Sequence, residues 1–557
     1  MCGIVGIVSQ NCVLGYREKF LKALDVLKHR GPNHRHYIID KHYALGYVRL
    51  RIRGNESCNQ AIRLKDGFAY GNGENYSSPA DDKCDLYDLA ESIIKRDGKL
   101  FDYDADFALT VLDCKTNTFF LARDRFGVKP LFYSWIDSRT ICFASEIKAI
   151  KQIIGVICPS LQGISDYLIF GYPLKERTAY ERVYAFPPKG VFEWDLNSDK
   201  KKFICGRKTV GCEGSIKCNF SELLKRSINV RLISDYKITT HLSGGLDSSI
   251  INFFAKELSQ DIVAFTGFYD KWDRDYTVAT AFAQRFDIRQ KAVRMKARKN
   301  YKRLIKTLDS PIMSTGAFVP YELARKIGKM RYRVLLEGQG ADEILLGYSR
   351  FLNITEPLSP QNALLLLANA DLDMLQKILK IDYNRLYEQD LQMCTDIIAV
   401  QQFYIDNFLQ ELLKIEDHAN MSYSIENRTP FLSKFFEDYL LSVGKVEIGK
   451  SRLKELHAHL KTGINVNQQK INANCPLQNE LVAQRKLFER LLKEGILSDV
   501  DCGMICGMLN RIDGMSKKQQ FTLWMIFNIL LWAKINKYYN ISLGKTSHND
   551  ENSIIKF

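Results

Sequence analysis

The pattern of hydrophobic and polar positions changes near residue 205. Before that point, short segments rich in β-branched and aromatic residues predict strands, and a turn at residues 115–117 joins two of them as a hairpin. The predicted strands cover residues 3–8, 43–50, 107–113, 118–122, 131–135 and 141–144. This half of the chain therefore predicts antiparallel sheet.

The second half alternates between apolar strands and helices. Apolar residues at helical spacing predict a helix over residues 220–232. Further strands are predicted at 238–242, 262–268 and 332–336, and further helices from 248, near 278–286 and at 320–330. Such alternation is typical of βαβ units around a parallel sheet. From residue 359 onward nearly everything is predicted to be helical, and the polar end at 548–557 is expected to fray.

Size and charge place the chain among large globular proteins. With 557 residues, two to four domains are expected. Hydrophobic residues make up 46% and charged residues 26%, an ordinary globular balance. The net charge of +15 and pI near 9.0 raise the question of nucleic-acid binding. The sequence has no arginine-rich tail and no stripe of aromatic and basic residues, so no nucleic-acid site is expected.

Cysteine usage and hydropathy predict a cytoplasmic protein. The 14 cysteines are scattered without zinc-ligand spacing, which is typical of reduced thiols in a reducing compartment. The N-terminus lacks the basic region of a signal peptide. The longest apolar run, residues 521–533, includes Thr522 and Asn528 and is shorter than the roughly 18–20 residues that span a bilayer. A buried helix is predicted there, and no membrane contact is expected.

Cys2 is the first candidate for chemistry. Removal of Met1 would place its thiol beside a free α-amino group, which titrates at about 7.7–8.0 and can accept the thiol proton at neutral pH. Nucleophile and base would then belong to one residue. A second-position cysteine alone is weak support, because it is usually accidental.

Other motifs strengthen this interpretation. They are His-Arg-Gly-Pro at 29–32, Arg49 at a strand end, Asn-Gly-Glu at 72–74, the run at 122–131 and Phe-Ala-Ser-Glu-Ile-Lys-Ala at 143–149. In order and spacing, residues 1–150 resemble the glutaminase domain of class II glutamine amidotransferases, the N-terminal-nucleophile family. The resemblance implies an αββα sandwich over residues 1–205.

The resemblance also implies roles for individual residues. Cys2 would attack the side-chain amide of glutamine, and the Asn72 side chain with the Gly73 N–H would form the oxyanion hole. Arg49 would bind the α-carboxylate of glutamine, and Glu74 its ammonium group.

Two positions depart from the family pattern in this half. Asn33 stands where the family commonly has Asp. The acid that helps to bind the glutamine amine falls in the stretch 81–85, where an ungapped alignment gives Lys83 and a one-residue shift gives Asp82. Both assignments stay open. A third possibility is that residues 81–85 form a solvent-exposed loop without a role in binding.

The second candidate for chemistry is a glycine-rich loop between a predicted strand and a predicted helix. Its sequence, Ser-Gly-Gly-Leu-Asp-Ser-Ser at 243–249, allows the backbone N–H groups to approach a phosphate closely. It lacks the Gly-Lys-Ser/Thr of a P-loop. The whole heptad resembles the pyrophosphate loop of the ATP-pyrophosphatase family, whose members adenylate a substrate and release pyrophosphate.

Three later segments extend this resemblance. They are Gly-Gln-Gly-Ala-Asp-Glu at 338–343, Ser-Ile-Glu-Asn-Arg-Thr-Pro-Phe-Leu at 424–432 and Gly-Lys-Ser-Arg at 449–452. Together with the first half, they resemble the glutamine-hydrolysing asparagine synthetase family over essentially the whole chain. The resemblance implies a second domain at 206–557, a parallel-sheet ATP-pyrophosphatase domain with a helical C-terminal part. It also implies ATP, glutamine and a carboxylate acceptor as substrates, an internal ammonia tunnel, and is compatible with a homodimer.

Specific residues follow from the same alignment. Asp247 and Asp342 match the two carboxylates that hold Mg²⁺ on the triphosphate, and oxygen ligands of this kind suit magnesium. Arg452 stands where the family has a catalytic lysine near the pyrophosphate. The expected ATP-binding residues are Ser243, Gly244, Gly245, Asp247, Ser248, Ser249 and Gly338. The family's stretch after residue 467 matches only at Asn467, Lys470 and Pro476.

The largest departure from the family is Gln339, which replaces the glutamate that lies by the acyl-adenylate. A neutral amide cannot accept a proton from ammonia. Either Glu337, which stands where the family has Ser, takes that role, or the acceptor differs and its pocket is retuned. Aspartate and another carboxylic acid therefore both stay open as acceptors.

Competing functions differ in which motifs they need. An ATP-dependent amide ligase, acting on aspartate, a sugar acid or a peptide, needs both halves. A tRNA-modifying pyrophosphatase would not need the glutaminase half, and a lactam-forming relative would not need Cys2 or the motif at 72–74. A non-catalytic regulator would not need intact Asp247 and Asp342, although Gln339 fits it. The sequence therefore favours the ligase.

Overall fold

The computed structural model describes residues 2–53, 59–78, 84–205, 219–259, 261–270, 272–295, 300–351, 354, 357–379, 383–437, 449–466 and 477–543. Its strands are β1 Cys2–Ser9, β2 His34–Ile39, β3 Tyr43–Arg49, β4 Ile62–Arg63, β5 Gly67–Asn75, β6 Ala105–Asp113, β7 Thr118–Arg123, β8 Phe132–Asp137, β9 Thr140–Ala144, β10 Tyr184–Ala185, β11 Gly190–Asp195, β12 Lys201–Cys205, β13 Ile238–His241, β14 Val263–Phe268, β15 Arg289–Arg294, β16 Val334–Leu336 and β17 Glu426–Arg428.

The helices of the first half and of the region around the third sheet are α1 Arg17–Val26, α2 Tyr87–Lys95, α3 Ile147–Ile154, α4 Leu161–Phe170, α5 Phe220–Arg231, α6 Leu246–Leu258, α7 Arg274–Arg285, α8 Tyr301–Leu308, α9 Phe318–Lys329 and α10 Ala341–Ile344. Those that follow are α11 Pro360–Leu367, α12 Leu372–Leu379, α13 Tyr383–Leu391, α14 Ile397–Phe403, α15 Leu409–Met421, α16 Ser451–His459, α17 Leu477–Leu492, α18 Cys502–Leu509 and α19 Lys517–Asn536.

Two antiparallel six-stranded sheets form the first half. Their strand orders are β10-β8-β9-β1-β3-β2 and β12-β11-β7-β6-β5-β4. Side chains such as Ile4 and Leu45 from one sheet pack against Ala108 and Leu121 from the other. Because strand side chains alternate between faces, the opposite face of each sheet needs its own cover. Helices α1 and α3 cover the first sheet, and α2 covers the second.

This αββα sandwich confirms the fold class expected for the first half. The predicted strands are present within one or two residues of their predicted ends, and β6 and β7 form the hairpin around residues 115–117. Asn117 adopts a left-handed φ of 54° there, a conformation that asparagine tolerates better than most residues. The strand pattern alone did not predict α1 to α4, which entered only through the family resemblance.

A five-stranded parallel sheet forms the centre of the second half, in the order β15-β14-β13-β16-β17. Helices α5, α6 and α7 pack on one face of it, and α9 packs on the other. This confirms the predicted βαβ arrangement. Several details differ from the prediction. Helix α6 begins at Leu246 rather than at Ser248, and α7 begins at Arg274 rather than near Val278. The edge strands β15 and β17 were not predicted.

The C-terminal helices pack against both halves. Helix α19 begins with a capping box, in which Ser516 and Gln519 satisfy each other's backbone N–H groups. It is buried from Thr522 to Ala533 and contacts α4 and α17, as the apolar run predicts. Within the described part of the chain, no helix combines the length and the apolar character needed to cross a bilayer. The predicted boundary after residue 205 adjoins residues 206–218, which lie outside the described residues, as do residues 548–557.

Candidate active sites

The first candidate site lies between the two antiparallel sheets. Strands β1 and β3 pair so that Cys2 lies opposite Arg49, and β5 brings Asn72 to the same place from the other sheet. The backbone N–H of Cys2 donates to Asn72 Oδ1 over 2.9 Å. Cys2, Arg49, Gly73 and Glu74 line one pocket. The structure thus brings together five of the six residues predicted for this site.

Asn72 and Gly73, which were predicted to form the oxyanion hole, are neighbours in β5. Asn72 is fully buried, and its Nδ2 has no hydrogen-bond partner among the described residues. A buried amide donor without a partner is rare, because leaving it unpaired costs about 1–3 kcal/mol. At Gly73, a Cβ would lie 2.1 Å from the carbonyl oxygen of Asp106. Only glycine therefore fits against β6 at this position.

Arg49 and Glu74 both line the pocket. Arg49 is 5% exposed and donates to Asn59 Oδ1 at 2.7 Å and to the Arg53 carbonyl oxygen at 3.0 Å. Burial, reinforced by the negative charge of Glu426, raises the pKa of Glu74 to about 8. Arg428 reaches this carboxylate from β17, with 3.9 Å between Nη2 and Glu74 Oε2. The second half of the chain therefore contributes a charge beside the first site.

The thiol and the acidic stretch complete the description of this pocket. Burial raises the pKa of the Cys2 thiol, while the amino terminus and Arg49 act in the opposite direction. Asp82 and Lys83 lie outside the described residues, so the choice between them stays a prediction. Asp85, from the same acidic stretch, lines the pocket, and its Oδ2 accepts from the Asn75 N–H at 3.0 Å.

A buried ion-pair network connects this site to the second half. Arg30 donates through Nε to the Cys2 carbonyl oxygen at 3.2 Å and through Nη1 to Glu146 at 2.9 Å. The same guanidinium forms a bidentate ion pair with the carboxylate of Asp417 in α15, with N–O distances of 2.7 and 3.0 Å. Arg30, Glu146 and Asp417 are all fully buried. The strand that carries Cys2 is thereby fixed to a helix of the synthetase half.

The second candidate site lies at the carboxyl end of β13. The loop after this strand leads into α6, and Gly244 adopts a φ of +76° with its α-carbon so close to α7 that a Cβ would lie 2.5 Å from the Asp275 carbonyl oxygen. Ser243 and Ser248 bridge the loop, with their hydroxyl oxygens 2.9 Å apart. The first backbone N–H groups of α6 lie at the end of this loop. They and the helix dipole favour binding of an anion there.

Two carboxylates gather around one lysine beside this loop. Lys450 Nζ lies 2.6 Å from Asp247 Oδ1 and 2.6 Å from Asp342 Oδ1. Burial opposes the charged form of Lys450, but the two carboxylates outweigh it and raise the pKa of the ammonium group. Gly347 makes room for the cluster, since a Cβ there would lie 2.1 Å from Asp342 Oδ1. The carboxylates expected to hold magnesium therefore converge on a single cation position.

The donor set fits magnesium bound together with a triphosphate. Mg²⁺ commonly takes one or two carboxylates and completes its octahedron with phosphate oxygens and waters. Asp247 and Asp342 supply those two carboxylates. Within the described residues, no group of three or more His, Cys, Asp or Glu side chains could hold a metal by itself. Phosphate oxygens would have to complete the coordination.

Two residues predicted for the second site, Arg452 and Ser249, do not belong to the cluster of Lys450 with the two carboxylates. Arg452 is 56% exposed and its Nη1 lies 3.7 Å from Glu455 on the same helix, whereas Lys450 occupies the cluster. Lys450 precedes α16 in a left-handed conformation, with φ +59°, and this turn separates the two side chains. Ser249 is fully buried inside α6, and its hydroxyl has no partner among the described residues. The structure thus places Lys450, and not the predicted Arg452, beside both carboxylates.

The loop after β16 carries the remaining predicted residues. A Cβ on Gly338 would lie 2.8 Å from the Asp247 Cβ, so this loop packs directly on the start of α6. Gly340, with φ +91°, turns the chain into α10 and thereby positions Asp342. Gln339 lies between these glycines and is half-buried. Gln339, the position that departs from the family pattern, therefore lies in the loop that packs on the start of α6.

Two family models match the two halves of the chain. The asparagine synthase family model matches residues 219–534, and the glutamine amidotransferase domain model matches residues 1–78 and 98–203. Asparagine synthetase [glutamine-hydrolyzing] 1 of Bacillus subtilis is 27% identical over 64% of this chain and 60% of its own length. Asparagine synthetase [glutamine-hydrolyzing] 2 of the same organism is 25% identical over 82% of this chain and 70% of its own length.

Among solved structures, the glutamine phosphoribosylpyrophosphate amidotransferase of B. subtilis, complexed with ADP and GMP, is 13% identical. It aligns over 49% of this chain and 67% of its own, with a TM-score of 0.26. The asparagine synthase model, by contrast, matches more than half of the 557 residues, behind a matched glutamine amidotransferase domain. The chain belongs to the asparagine synthase family of carbon–nitrogen ligases.

Proposed function

We propose that this chain is a glutamine-dependent amide ligase that activates a carboxylic acid with ATP. Glutamine is hydrolysed at Cys2, the carboxylate is adenylated with release of pyrophosphate, and ammonia displaces AMP to form the amide. The observation that carries the proposal is that one chain holds both a thiol beside an unpartnered buried amide and two carboxylates gathered at a glycine-rich anion loop. Aspartate is the first acceptor to test, with related carboxylic acids after it.

In the glutaminase reaction, the α-amino group of Cys2 accepts the thiol proton once Met1 has been removed. The thiolate attacks the side-chain amide carbon of glutamine, and negative charge develops on the amide oxygen. Asn72 Nδ2, which is buried without a partner, and the Gly73 N–H stabilise that charge. Each such donor can contribute about 2.7–4 kcal/mol in the transition state. Ammonia then leaves, and water releases glutamate from the thioester.

Recognition of glutamine needs one cation and one anion in this pocket. Arg49 binds the α-carboxylate, and its guanidinium is already held in place by Asn59 and the Arg53 carbonyl. Glu74 accepts from the α-ammonium group in its ionised form. Asp82 stays the proposed second acid, and Asp85 is an alternative because it lines the same pocket.

In the synthetase reaction, Ser243, Gly244, Gly245, Ser248 and the start of α6 bind the phosphates through N–H and hydroxyl groups. Asp247 and Asp342 hold magnesium, which neutralises the triphosphate when bound. Gly338 keeps the loop after β16 close against Asp247. Ser249, being buried, supports α6 rather than touching ATP.

Lys450, rather than Arg452, is proposed to bind the leaving pyrophosphate. We expect Lys450→Met to lower ATP–pyrophosphate exchange by about 10²–10³-fold, because it removes a preorganised cation beside both carboxylates. Arg452→Met is the matched control, since it removes a cation two residues away that is 56% exposed. Equal losses in the two variants, measured with glutaminase activity as an internal reference, would contradict this assignment.

Gln339 is proposed to decide how well aspartate is used. A general base is commonly worth about 10²–10⁴-fold, and a neutral amide cannot supply it, so position 339 limits the reaction with aspartate unless Glu337 takes this role. We therefore expect Gln339→Glu either to raise asparagine formation or to disturb the pocket of a different acceptor by adding a charge. Steady-state assays with aspartate check this. Equal rates and equal apparent affinities for aspartate in both enzymes would show that the position is neutral.

The proposal also covers the oligomeric state, the location and the alternative acceptors. A homodimer is compatible with the family, and a cytoplasmic location fits the cysteines whose side chains the structure describes, all of which are free thiols. A non-catalytic role would leave Asp247, Asp342 and Lys450 without a reason to converge. Sugar acids and peptides stay as alternative acceptors because of Gln339.

The proposed function is tested by product analysis. The enzyme is incubated with glutamine, Mg-ATP and a panel of carboxylic acids that includes aspartate, and the products are analysed by mass spectrometry. We expect an amide of one acid, with AMP and pyrophosphate in equal amounts. Glutamate release without AMP for every acid would contradict the synthetase part of the proposal and leave only a glutaminase.

A further inference from the structure

A buried acidic pair lies beside the phosphate loop without a role in the chemistry described above. Glu337 follows β16, His241 ends β13, and these parallel strands are neighbours, so both side chains come to the carboxyl edge of the sheet. Glu337 is 3% exposed, and its Oε2 lies 3.4 Å from His241 Nδ1. Both residues belong to the edge at which ligands of open parallel sheets bind.

Glu416 of α15 completes this group. Its carboxyl group interacts with that of Glu337, and two buried carboxyl groups this close favour a state in which one of them carries a proton. Burial, and then the charge of Glu337, raise the pKa of Glu416 well above its usual value. Burial raises the pKa of Glu337 to about 7, and the interaction with Glu416 acts in the opposite direction. Glu337 is therefore the acid of the pair that ionises more readily.

The pair is linked to both candidate active sites through its sequence neighbours. On one side, the peptide after Glu337 packs on Asp247, since a Cβ at Gly338 would lie 2.8 Å from its Cβ. On the other side, the residue after Glu416 is Asp417, which binds Arg30, and Arg30 donates to the Cys2 carbonyl oxygen.

Two polar atoms of the group have no partner. Within the described residues, neither Glu337 Oε1 nor His241 Nε2 has a hydrogen-bond partner, and both atoms are buried. Buried polar atoms normally bind protein, water or ligand, so an open acceptor on Glu337 indicates a small polar guest. The charged groups that face Glu337 are Glu416, His241, Lys129 and Asp417.

We propose that Glu337, supported by Glu416 and His241, accepts the proton that ammonia loses when it forms the amide bond. The proposal rests on the proposed amide-ligase function. Ammonia nitrogen bonds to the carbonyl carbon of the acyl-adenylate, one N–H proton passes to a Glu337 carboxylate oxygen, and the bond from carbon to the AMP oxygen breaks. The products are the amide, AMP and a protonated Glu337, which returns its proton to solvent. The pair thereby supplies the acceptor that Gln339 cannot be.

The test compares two nucleophiles in Glu337→Gln. With aspartate, Mg-ATP and ammonium chloride as probes, amide formation should fall by about 10²–10⁴-fold. Hydroxylamine should be affected far less, because its less basic nitrogen gives up the proton to water readily. Exchange of pyrophosphate into ATP should stay within about threefold of wild type. A merely structural defect would lower the rates with both nucleophiles equally.

Glu411→Gln is the matched control. Glu411 is a buried glutamate of the same helix, but Lys414 binds it at 2.7 Å, away from Glu337. This variant should keep the wild-type ratio of the ammonia and hydroxylamine rates. If Glu337→Gln keeps that ratio too, the proposal is overturned.

A second readout separates this proposal from the proposed function. In infrared difference spectra between wild type and Glu416→Gln at neutral pH, we expect loss of a protonated carboxyl band, whichever acid is the acceptor. Absence of that band would overturn the pair. If wild type makes no amide from aspartate but the band is lost, the choice of aspartate fails and the pair stands, to be assayed with the acid that the panel identifies.

Discussion

Replacing Cys2 by alanine is expected to abolish glutamine hydrolysis and glutamine-dependent amide synthesis, by about 10⁴–10⁶-fold, while ammonia-dependent synthesis continues. Cys2 lies opposite Arg49 in the pairing of β1 with β3, and its backbone N–H donates to the Asn72 side chain. Cys2 therefore lies at the pocket that is expected to bind glutamine. Glutamate release and amide formation from ammonium chloride, measured side by side, check this. Because the thiol acts only in the first half-reaction, the two rates should separate completely.

The control for this result is Cys12→Ala. Cys12 follows the same strand but is exposed, so its loss should leave both activities unchanged. Full glutamine-dependent activity in Cys2→Ala would refute the role assigned to the N-terminal thiol. Mass spectrometry of active enzyme should also find Met1 removed, and its retention would contradict the proposed use of the α-amino group as base.

Replacing Asp247 or Asp342 by asparagine is expected to remove ATP turnover while glutamine hydrolysis continues. Each substitution removes a carboxylate charge from the position where Lys450 marks a cation site. Loss of several kcal/mol of metal binding corresponds to about 10²–10⁴-fold in rate. Pyrophosphate release and glutamate release, measured on the same samples, check this prediction.

Asp261→Asn provides the comparison. Asp261 precedes β14, at the opposite edge of the same sheet, and pairs with Lys237 on the surface. It should keep ATP turnover. Formation of ADP and phosphate by wild type would place the chain outside the adenylating class, and unchanged turnover in Asp247→Asn and Asp342→Asn would show that these carboxylates do not hold the metal.

The architecture was predictable because it depends on repeated local patterns. Alternating β-branched residues predicted β1, β6 and β7, and strand–helix alternation predicted the parallel sheet. Strand β17 was not predicted, since three polar residues, Glu426, Asn427 and Arg428, form it. Their side chains are buried by pairing with β16 and by ion pairs rather than by hydrophobicity. Such a strand leaves no periodic signal in one sequence.

The site was predictable where residues act through short motifs and not where distant segments meet. The motif at 72–74 and the loop at 243–249 position their own residues, so Asn72 and Asp247 were found directly. The choice between Lys450 and Arg452 depends on a left-handed turn that spacing does not reveal. Glu416 was missed entirely, because only packing of α15 on the sheet brings it to Glu337.

Coupling between the halves also follows from packing rather than from motif. Arg30 belongs to a turn that sequence assigns to the glutaminase, but its guanidinium binds Asp417 in the synthetase half. Arg428 similarly reaches from β17 toward Glu74. Both arginines are fully buried, where breaking one partner of an ion pair commonly costs about 3–5 kcal/mol. These contacts join the first site to the second half of the chain through buried charge pairs.

The central claim, ATP-driven amidation through an acyl-adenylate, is tested most directly by isotope transfer. Wild-type enzyme is incubated with Mg-ATP, glutamine labelled with ¹⁵N in its amide, and the acceptor acid labelled with ¹⁸O in its carboxylate, aspartate first. The account predicts an amide that carries ¹⁵N, AMP that carries one ¹⁸O, and unlabelled pyrophosphate. Amide formation with ¹⁸O in inorganic phosphate, or AMP without ¹⁸O, would contradict it.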